Sequence, residues 1–257
     1  MANQNEKVAV FLPAYFAAKT LTSVYHKIPK EYVDEIILVD DASNDGIESV
    51  ARGLGIRHVY ANPLNLGYGG NLKVCMQKAL DLGADILIEL HPDDQYDPKA
   101  IPEAIRKMKE GYGLVTGSRF MRFGDALKHG MPIWKYVINQ LSMPICWAVF
   151  GVRLTDNHCG FRLYHRSFLE KVNFEKNDDN FLFAFQIVLQ AALAGVKIAE
   201  VPVTCRYFPN VTQMNFKKVV EYGAGVLKTI GQFLIARLGW RKTATWLYPK
   251  EFVSVKA

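Results

Sequence analysis

Side chains of the types that commonly bind metal ions follow an apolar, strand-like run near the middle of the chain. Residues 86–90 predict a buried parallel strand, and the polar segment 91–98 (His-Pro-Asp-Asp-Gln-Tyr-Asp-Pro) comes directly after it. In open α/β sheets, ligands bind at the carboxyl edge, and carboxylates there suit a hard divalent cation that bridges substrate phosphates. A polar loop, in which Asp97 and Pro98 cap a helix from Lys99, explains the same residues without any metal.

Two adjacent carboxylates, Asp40 and Asp41, end a second apolar run at residues 35–39. Paired carboxylates at a strand end can accept hydrogen bonds from a nucleobase or a ribose. Turn chemistry is the alternative, because Asp, Ser, Asn and Gly all build turns and helix caps, and we assign that role to Asp45 and Gly46. Asp40 and Asp41 therefore remain candidates for binding a nucleotide.

A glycine-rich segment, residues 65–70 (Asn-Leu-Gly-Tyr-Gly-Gly), precedes a helix predicted to end at Leu82. Amides at a helix N-terminus can approach a phosphate. The segment lacks the Gly-Lys-Ser/Thr of a P-loop and does not match the dinucleotide fingerprint, which argues against an ATP site. We therefore prefer a flexible turn with a helix cap to direct contact with phosphate.

A third group of polar residues spans 156–162 (Asp-Asn-His-Cys-Gly-Phe-Arg). Asp156 can orient or deprotonate an acceptor group, whereas the His-Cys pair beside it suits packing, because two neighbouring residues seldom ligate one metal ion. Arg119 and Arg206 follow other predicted strands, where a guanidinium fork suits phosphate. A surface ion pair is the alternative for each arginine taken alone.

Strand and helix patterns alternate along the first half of the chain and must position these residues. Apolar runs predict strands at 8–12, 35–39, 58–60, 86–90 and 113–116, with helical patterns between them. This β-α-β-α order predicts an α/β fold, in which helices cover both faces of a mainly parallel sheet. Past Gly117 the pattern loosens into an amphipathic helical stretch at 132–150, which Pro144 is expected to break.

Composition fits a folded domain that is kept in a reducing compartment. The chain has 257 residues, of which 50% are hydrophobic and 22% charged, enough for a sizeable core. Its four cysteines form no CxxC pair, which argues against a disulfide framework or a zinc site. We expect no secretory signal, because polar residues follow Met1, and no membrane span, because no run of about 18 apolar residues occurs.

Positive charge is concentrated near the C-terminus. The net charge is +6, and the segment 216–242 carries six basic residues against one acid, Glu221. A local basic segment indicates an anionic partner, either a membrane or a nucleic acid. The helix predicted at 216–240 has apolar residues at helical spacing, which favour lipid over nucleic acid. Packing against the core or a dimer partner is the alternative for this helix.

These motifs, in this order, resemble glycosyltransferase family 2, and within it the polyprenyl-phosphate (dolichyl-phosphate) sugar synthase branch. The resemblance runs through residues 8–15, 39–46, 65–70, 91–98, 117–119, 156–162 and 200–203. It implies a GT-A (Rossmann-like) domain over roughly residues 7–210, followed by a basic amphipathic helix and tail at 211–257. It also implies an inverting enzyme whose donor is a UDP- or GDP-sugar.

The resemblance implies a role for each motif. The residues expected to hold the nucleotide are Pro13, Tyr15, Asp40, Asp41 and Gly67. Those expected to bind the metal ion are His91, Asp93 and Gln95. Candidates for the acceptor or donor phosphate are Arg119, Arg162 and Arg206, and the catalytic group would be Asp156, Asp93 and Arg119.

Two positions depart from the family pattern. His91 stands where the family's first metal-binding Asp is expected. Because imidazole ligates Mn²⁺ readily while Mg²⁺ prefers oxygen, we expect Mn²⁺ to be favoured over Mg²⁺. Either Asp93 and the donor diphosphate hold the ion, or Asp94 compensates for the lost charge. Phe16 and Ala17 replace the usual Asn-Glu, which removes a carboxylate near the nucleotide.

The expected reaction is inverting transfer of a sugar to a polyprenyl (dolichyl or undecaprenyl) phosphate. A glycan or another hydroxyl acceptor is one alternative, and a catalytically weak nucleotide-sugar-binding protein is another. We expect a cytoplasmic protein held peripherally at the cytoplasmic face of a membrane, with no nucleic acid partner. The sequence leaves a homo-oligomer open.

Overall fold

A seven-stranded sheet forms the centre of the computed structural model, which describes residues 6–151, 153–207, 216–238 and 246–250. The strands are β1 (Val8–Ala14), β2 (Glu35–Asp40), β3 (His58–Ala61), β4 (Ile86–Glu89), β5 (Leu114–Ser118), β6 (Arg162–His165) and β7 (Ile198–Pro202). Their order is β3-β2-β1-β4-β6-β5-β7. Only β6 runs antiparallel to its neighbours in this sheet, so the predicted α/β class with a mainly parallel sheet is confirmed.

Helices cover both faces of the sheet. They are α1 (Ala18–Lys27), α2 (Ile47–Gly53), α3 (Gly67–Asp81), α4 (Ile101–Lys109), α5 (Asp125–Lys128), α6 (Ile133–Phe150), α7 (Arg166–Leu169), α8 (Phe183–Leu193) and α9 (Phe216–Arg237). Alternate residues of β1 serve the two faces, as the strand period of two requires. Val10 packs with α1, α2 and α4, whereas Phe11 packs with α3 and α8.

The carboxyl edge of the sheet collects the polar residues that end the strands. β2 ends at Asp40 and β4 ends at Glu89, and both strands pair in parallel with β1 between them. Glu89 also lies opposite Arg162 in the antiparallel pairing of β4 with β6. The segments that follow β2 and β4 therefore leave the sheet at the same edge, beside the first residue of β6.

Helix α6 is continuous through Pro144, so the break expected there is wrong. Two side chains bond to main-chain carbonyls in the turns before the proline. Asn139 Nδ2 donates to the Lys135 carbonyl (2.7 Å), and Ser142 Oγ donates to the Asn139 carbonyl (2.8 Å). Neither bond reaches the Gln140 carbonyl, which loses its helical donor because Pro144 has no N–H. Burial of Met143 and Cys146 on either side of the proline offsets that loss. Among the helices within the described ranges, none combines the length and the apolar content that crossing a bilayer requires.

Helix α9 packs one face against the rest of the protein, which is the alternative that its sequence left open. Tyr222 Oη forms a hydrogen bond with His158 Nδ1 (2.8 Å). Phe233 clusters with Leu189 of α8. A Cβ on Gly225 would lie 2.9 Å from Leu182, so this contact is close. The predicted boundary between residues 210 and 211, the end of the helix at residue 240, and the tail from residue 251 lie outside the described residues.

Candidate functional site

Glu89 is the buried centre of the site, although its position inside an apolar run did not predict a role for it. Its side chain is fully buried and accepts hydrogen bonds from Tyr68 Oη (2.9 Å), Tyr164 Oη (2.5 Å) and His91 Nε2 (3.1 Å). Burial raises the pKa of this carboxyl, but the His91 bond and the charge of Arg162 outweigh burial and leave the pKa below its usual value. Glu89 is therefore ionised at the base of the site.

His91 bonds to Glu89 rather than pointing freely to solvent. Its ring stacks on Tyr68, with 5.5 Å between the ring centroids, and a Cβ on Gly160 would come within 3.0 Å of Nε2. Burial lowers the pKa of His91, but the hydrogen bond and charge of Glu89 raise it more, so the net shift is upward. Because Nε2 is engaged by Glu89, Nδ1 is the ring nitrogen left for a metal ion.

The acidic residues after β4 differ in what they bind. Asp94, with φ at +61°, accepts hydrogen bonds from Lys27 Nζ (2.6 Å) and Ser23 Oγ (3.0 Å) on α1. Asp93 Oδ1 accepts only the Gln95 main-chain N–H (3.1 Å), and no ion pair forms to Asp93 from any described residue. Asp93 is therefore the carboxylate that is open to a cation, whereas Lys27 already neutralises Asp94.

The donor set fits a metal ion that the substrate helps to hold. Among the described residues, no group of three His, Cys, Asp or Glu side chains is placed to bind one ion. Asp93 supplies one hard oxygen, and further oxygens must come from elsewhere, as is usual for ions bound together with a diphosphate. Asp97 has the capping role that the loop interpretation gave it, because its Oδ1 accepts the Lys99 N–H (3.1 Å).

Asp41 holds the glycine-rich segment in place. Its carboxylate accepts hydrogen bonds from the main-chain N–H groups of Leu66 (2.8 Å) and Gly67 (3.0 Å) and from Asn62 Nδ2 (2.9 Å). Gly67 has φ of +82°, which favours glycine, and an added Cβ would lie 2.6 Å from the Asp179 carbonyl oxygen. These contacts support the turn-and-cap interpretation of this segment, and they engage the Gly67 amide.

Asp40 and the residues after β1 line the same edge. Asp40 is buried and accepts hydrogen bonds from the Ser43 N–H (3.1 Å) and hydroxyl. Burial raises the pKa of Asp40 above its usual value despite these bonds. Pro13 lies in β1 opposite Val39, and Tyr15 follows the strand with 47% of its surface exposed. The exposed Tyr15 ring is available to stack on a base.

Arg119 and Asp156 form a buried, two-pronged ion pair. Arg119 Nε lies 2.6 Å from Asp156 Oδ2, and Nη2 lies 2.9 Å from Oδ1. The Asp156 oxygens also accept the main-chain N–H groups of Arg119 (3.2 Å) and His158 (3.1 Å). Burial raises the pKa of Asp156, but the charge and hydrogen bonds of Arg119 lower it more. Asp156 is thus ionised, fully bonded and poorly placed to accept a proton.

Further residues support this pair. Glu200 Oε1 accepts the Asp156 N–H (3.0 Å), and Arg119 Nη1 donates to Tyr207 Oη (2.8 Å). Arg119 thereby joins the loop at residues 155–158 to the chain after β7. Sequence patterns gave Tyr207 no role, and they placed Glu200 only within a motif, because both act through partners distant in the chain.

The other two arginines proposed to bind phosphate differ in exposure, because Arg162 is buried and Arg206 is exposed. Arg162 is fully buried, and its Nη2 donates to the Asn157 carbonyl (3.3 Å), while Nε and Nη1 have no hydrogen-bond partner among the described residues. Arg206 is exposed, and its main-chain N–H donates to the Gln95 carbonyl (2.8 Å). Of these two, Arg206 is open to a phosphate in solution, and it lies on the same loop pair as Asp93.

Comparison with known proteins matches the chain to one protein family and to several relatives. The family model described as glycosyl transferase family 2 matches residues 9–172. An uncharacterised protein of Methanocaldococcus jannaschii is 28% identical over 79% of this chain and 82% of its own length. The polyprenol monophosphomannose synthase of Mycolicibacterium smegmatis is 25% identical over 77% of each chain. The glycosyltransferase AglD of Haloferax volcanii is 26% identical, and only 38% of its length is covered.

Solved structures share the fold at lower identity. Glucosyl-3-phosphoglycerate synthase of Mycobacterium tuberculosis, in complex with Mn²⁺, uridine diphosphate and glucosyl-3-phosphoglycerate, superposes with a TM-score of 0.63. It is 19% identical and covers 93% of this chain and 82% of its own. The complex of the same synthase with uridine diphosphate gives a TM-score of 0.65 at 18% identity. These matches show a common fold.

Proposed function

Because the chain belongs to glycosyl transferase family 2, we propose that this glycosyltransferase moves a sugar from a UDP- or GDP-sugar to a polyprenyl phosphate. The observation that carries the choice of acceptor is the complete engagement of Asp156 by Arg119 and main-chain amides. A hydroxyl acceptor needs a general base, whereas a phosphate oxygen is already anionic. A phosphate acceptor therefore suits a site whose candidate base, Asp156, is neutralised by Arg119.

The proposed step is a single displacement at the anomeric carbon. A phosphate oxygen of the acceptor forms the new bond to that carbon as the bond to the nucleoside diphosphate breaks, which inverts the configuration. Arg206, which is exposed and bonded through its main chain to Gln95, would orient the acceptor phosphate through charge-assisted hydrogen bonds. Arg119, whose guanidinium already donates to Asp156 and Tyr207, would add positive charge near the acceptor phosphate. Arg162 is buried and stabilises the negative charge of Glu89. The name of the mycobacterial relative, a polyprenol monophosphomannose synthase, supports the same acceptor class.

A divalent cation belongs to this proposal. When bound, it would neutralise the charge that develops on the leaving diphosphate. Asp93 is the residue that would hold it, with His91 Nδ1 and the Gln95 side chain as further donors. The preference for Mn²⁺ over Mg²⁺ remains a prediction that rests on the imidazole of His91.

The nucleotide and the membrane complete the proposal. Tyr15 would stack on the base, and Asp40 would contact the nucleoside from the same edge, whereas Asp41 and Gly67 would shape that edge through their mutual hydrogen bond. We assign the reaction to residues 7–210 and treat 211–257 as an accessory segment. A lipid acceptor requires that the enzyme meet a bilayer, and we propose a peripheral position at its cytoplasmic face.

Acceptors that differ only in the phosphate test this function. Radiolabelled UDP- and GDP-sugars are supplied with polyprenyl phosphate, with the matching dephosphorylated polyprenol, and with soluble glycans. Transfer to polyprenyl phosphate alone is the expected result. Transfer to the polyprenol or a glycan, but not to the phosphate, would replace this proposal with the hydroxyl-acceptor alternative, for which a different base must be found.

A further inference from the structure

Helix α6 is apolar on the face that meets solvent as well as on the face that meets the protein. Met143 and Cys146 are buried, at 3% and 5% exposure. The opposite side carries large apolar side chains that are 40–73% exposed: Ile133, Trp134, Val137, Ile138, Leu141 and Trp147. A helix that is apolar all round is normally covered on every side, and within the part of the chain that the structure describes this outward surface has no partner.

The loop before α6 extends the same surface. Phe123 is 96% exposed, and Met121 and Leu127 are 48% and 40% exposed. Phe120 packs edge-on against Tyr136 of α6, with 5.4 Å between ring centroids, so the loop and the helix are in contact. We call the surface formed by residues 121–127, which include the first part of α5, and the outward side of α6 the α6 face. Contiguous apolar surfaces of this kind mark docking sites.

The charges around the α6 face complement an anionic bilayer. Apart from Arg119, which Asp156 neutralises, residues 120–154 contain four basic residues and one acid, Asp125, and α6 itself carries one charge, Lys135. Trp134 lies at the start of α6 with Lys135 Nζ 5.4 Å from its ring. Exposed tryptophan and basic side chains at the rim of an apolar surface are typical of proteins that lie in a lipid interface. These features favour lipid over a second copy, whose own basic rim would be repelled.

The α6 face adjoins the candidate site. Phe120, which contacts Tyr136, directly follows Arg119, and the Arg119 guanidinium holds Asp156. His158 links α6 to the same loop, with Nε2 at 3.5 Å from Ser142 Oγ. A bilayer on the α6 face would therefore present its phosphate groups beside Arg119.

We propose that the α6 face docks on an anionic phospholipid bilayer and that Phe123 inserts furthest. The inference rests on the proposed function, because a lipid acceptor must be met at a bilayer. The experiment that tests it measures binding to vesicles and not sugar transfer. The competing surface is the outward side of α9, where Leu227 and Ile235 are 69% and 47% exposed. The protein side of α9 is already bound to α8.

Two double variants matched in residue type and exposure separate these surfaces. Ile138→Gln with Leu141→Gln alters the α6 face, where the exposures are 47% and 67%, and Ile235→Gln with Leu227→Gln alters α9. Flotation with vesicles of phosphatidylglycerol and phosphatidylcholine measures the partition of each full-length protein. The α6 variant is expected to bind at least roughly tenfold more weakly than wild type, because each lost aliphatic side chain is worth about a factor of ten.

The α9 variant is expected to float within about twofold of wild type, and Phe123→Ser to resemble the α6 variant. Binding of wild type is expected to weaken with salt and on phosphatidylcholine alone, because the rim charges are screened or unmatched. Absence of wild-type flotation, equal losses in both double variants, or a loss confined to α9 would overturn the proposal. A wild-type dimer that the α6 variant dissociates, without flotation, would assign the face to a second copy.

Transfer to a short, water-soluble prenyl phosphate separates this inference from the proposed function. The α6 variant is expected to retain this activity, which also shows that it is folded. If wild type floats through the α6 face but uses no lipid phosphate, the surface stands and the proposed acceptor fails. If lipid phosphate is used and both double variants float normally, the acceptor stands and the surface assignment fails.

Discussion

At the scale of single residues, Asp93 and Asp94 are adjacent in sequence but have separate roles. Asp94 is paired with Lys27, whereas Asp93 accepts only the Gln95 N–H from the residues that the structure describes. We expect Asp93→Ala to lower kcat/KM by about a thousandfold, since metal-based charge stabilisation is worth several kcal/mol. Asp94→Ala should stay within about threefold of wild type, because surface ion pairs contribute little.

Steady-state kinetics with Mn²⁺ and a direct Mn²⁺ titration provide the two measurements. The dissociation constant for Mn²⁺, measured in the presence of the nucleoside diphosphate, should rise for Asp93→Ala and should be unchanged for Asp94→Ala. Full activity of Asp93→Ala in the presence of a chelator would remove the metal from the proposal, and the reverse order of effects would move the site to Asp94.

Glu89 is expected to be the most sensitive buried acid of the site. Its carboxylate accepts three side-chain hydrogen bonds and balances the charge of Arg162. Glu89→Gln removes that charge, and breaking a buried charge network on one side costs about 3–5 kcal/mol. Denaturant unfolding at pH 7 measures the change. Glu103→Gln, at an exposed acid on α4, is the control and should stay within about 0.5 kcal/mol.

The sequence predicted the residues at the sheet edge better than it predicted their partners. Asp40, Asp93 and Arg119 were all identified, because polar side chains directly after apolar runs mark strand ends. Glu89 was missed, since one acid inside an apolar run breaks no pattern. Its partner Tyr164 is 75 residues away in the chain, and such pairings depend on which strands become neighbours. The Asp156 bonds escaped prediction for the same reason.

Among the secondary-structure elements, the N-terminus of α3 packs closely against the segment 178–183 because glycines there carry no side chain. A Cβ on Gly69 would lie 2.2 Å from the Asp178 carbonyl oxygen and 2.8 Å from Phe183 Cβ. We expect Gly69→Ala to destabilise the fold by about 1–3 kcal/mol, because the backbone must shift. Gly53→Ala in α2, where nothing lies within 4 Å, is the matched control.

The control should be neutral or stabilising by up to about 1 kcal/mol, because alanine restricts the unfolded chain. Thermal unfolding of both variants measures the difference, and kcat/KM reports whether the displaced turn disturbs the edge that Asp41 shapes. Equal stability of the two variants would mean that α3 and the segment 178–183 are not packed as described.

Element boundaries show the same division between local and long-range information. The strands were predicted closely, since alternate burial of β1 on two faces of the sheet follows directly from its apolar run. The helix at 132–150 was predicted with a break at Pro144 that does not occur. Burial of Met143 and Cys146 against the protein offsets the main-chain bond that the proline removes, and that burial depends on long-range packing.

At the scale of the whole molecule, His158 connects the loop of Asp156 to α6 and α9. Its Nδ1 lies 2.8 Å from Tyr222 Oη, and burial lowers the pKa of His158 to about 4. The unfolded chain takes up this proton near its ordinary value of 6.5, while the native protein stays neutral until about 4. Stability from this group is therefore complete above pH 6.5 and is lost as the pH falls towards 4.

The loss amounts to about 3 kcal/mol, since each pKa unit corresponds to about 1.4 kcal/mol. His158→Asn keeps a polar partner for Tyr222 but does not titrate. The free energy of unfolding of wild type minus that of the variant should be constant above pH 7 and should fall between pH 6.5 and 4. A difference that is flat across this range would show that His158 is solvated, and that the contact from the site loop to α9 does not hold in solution.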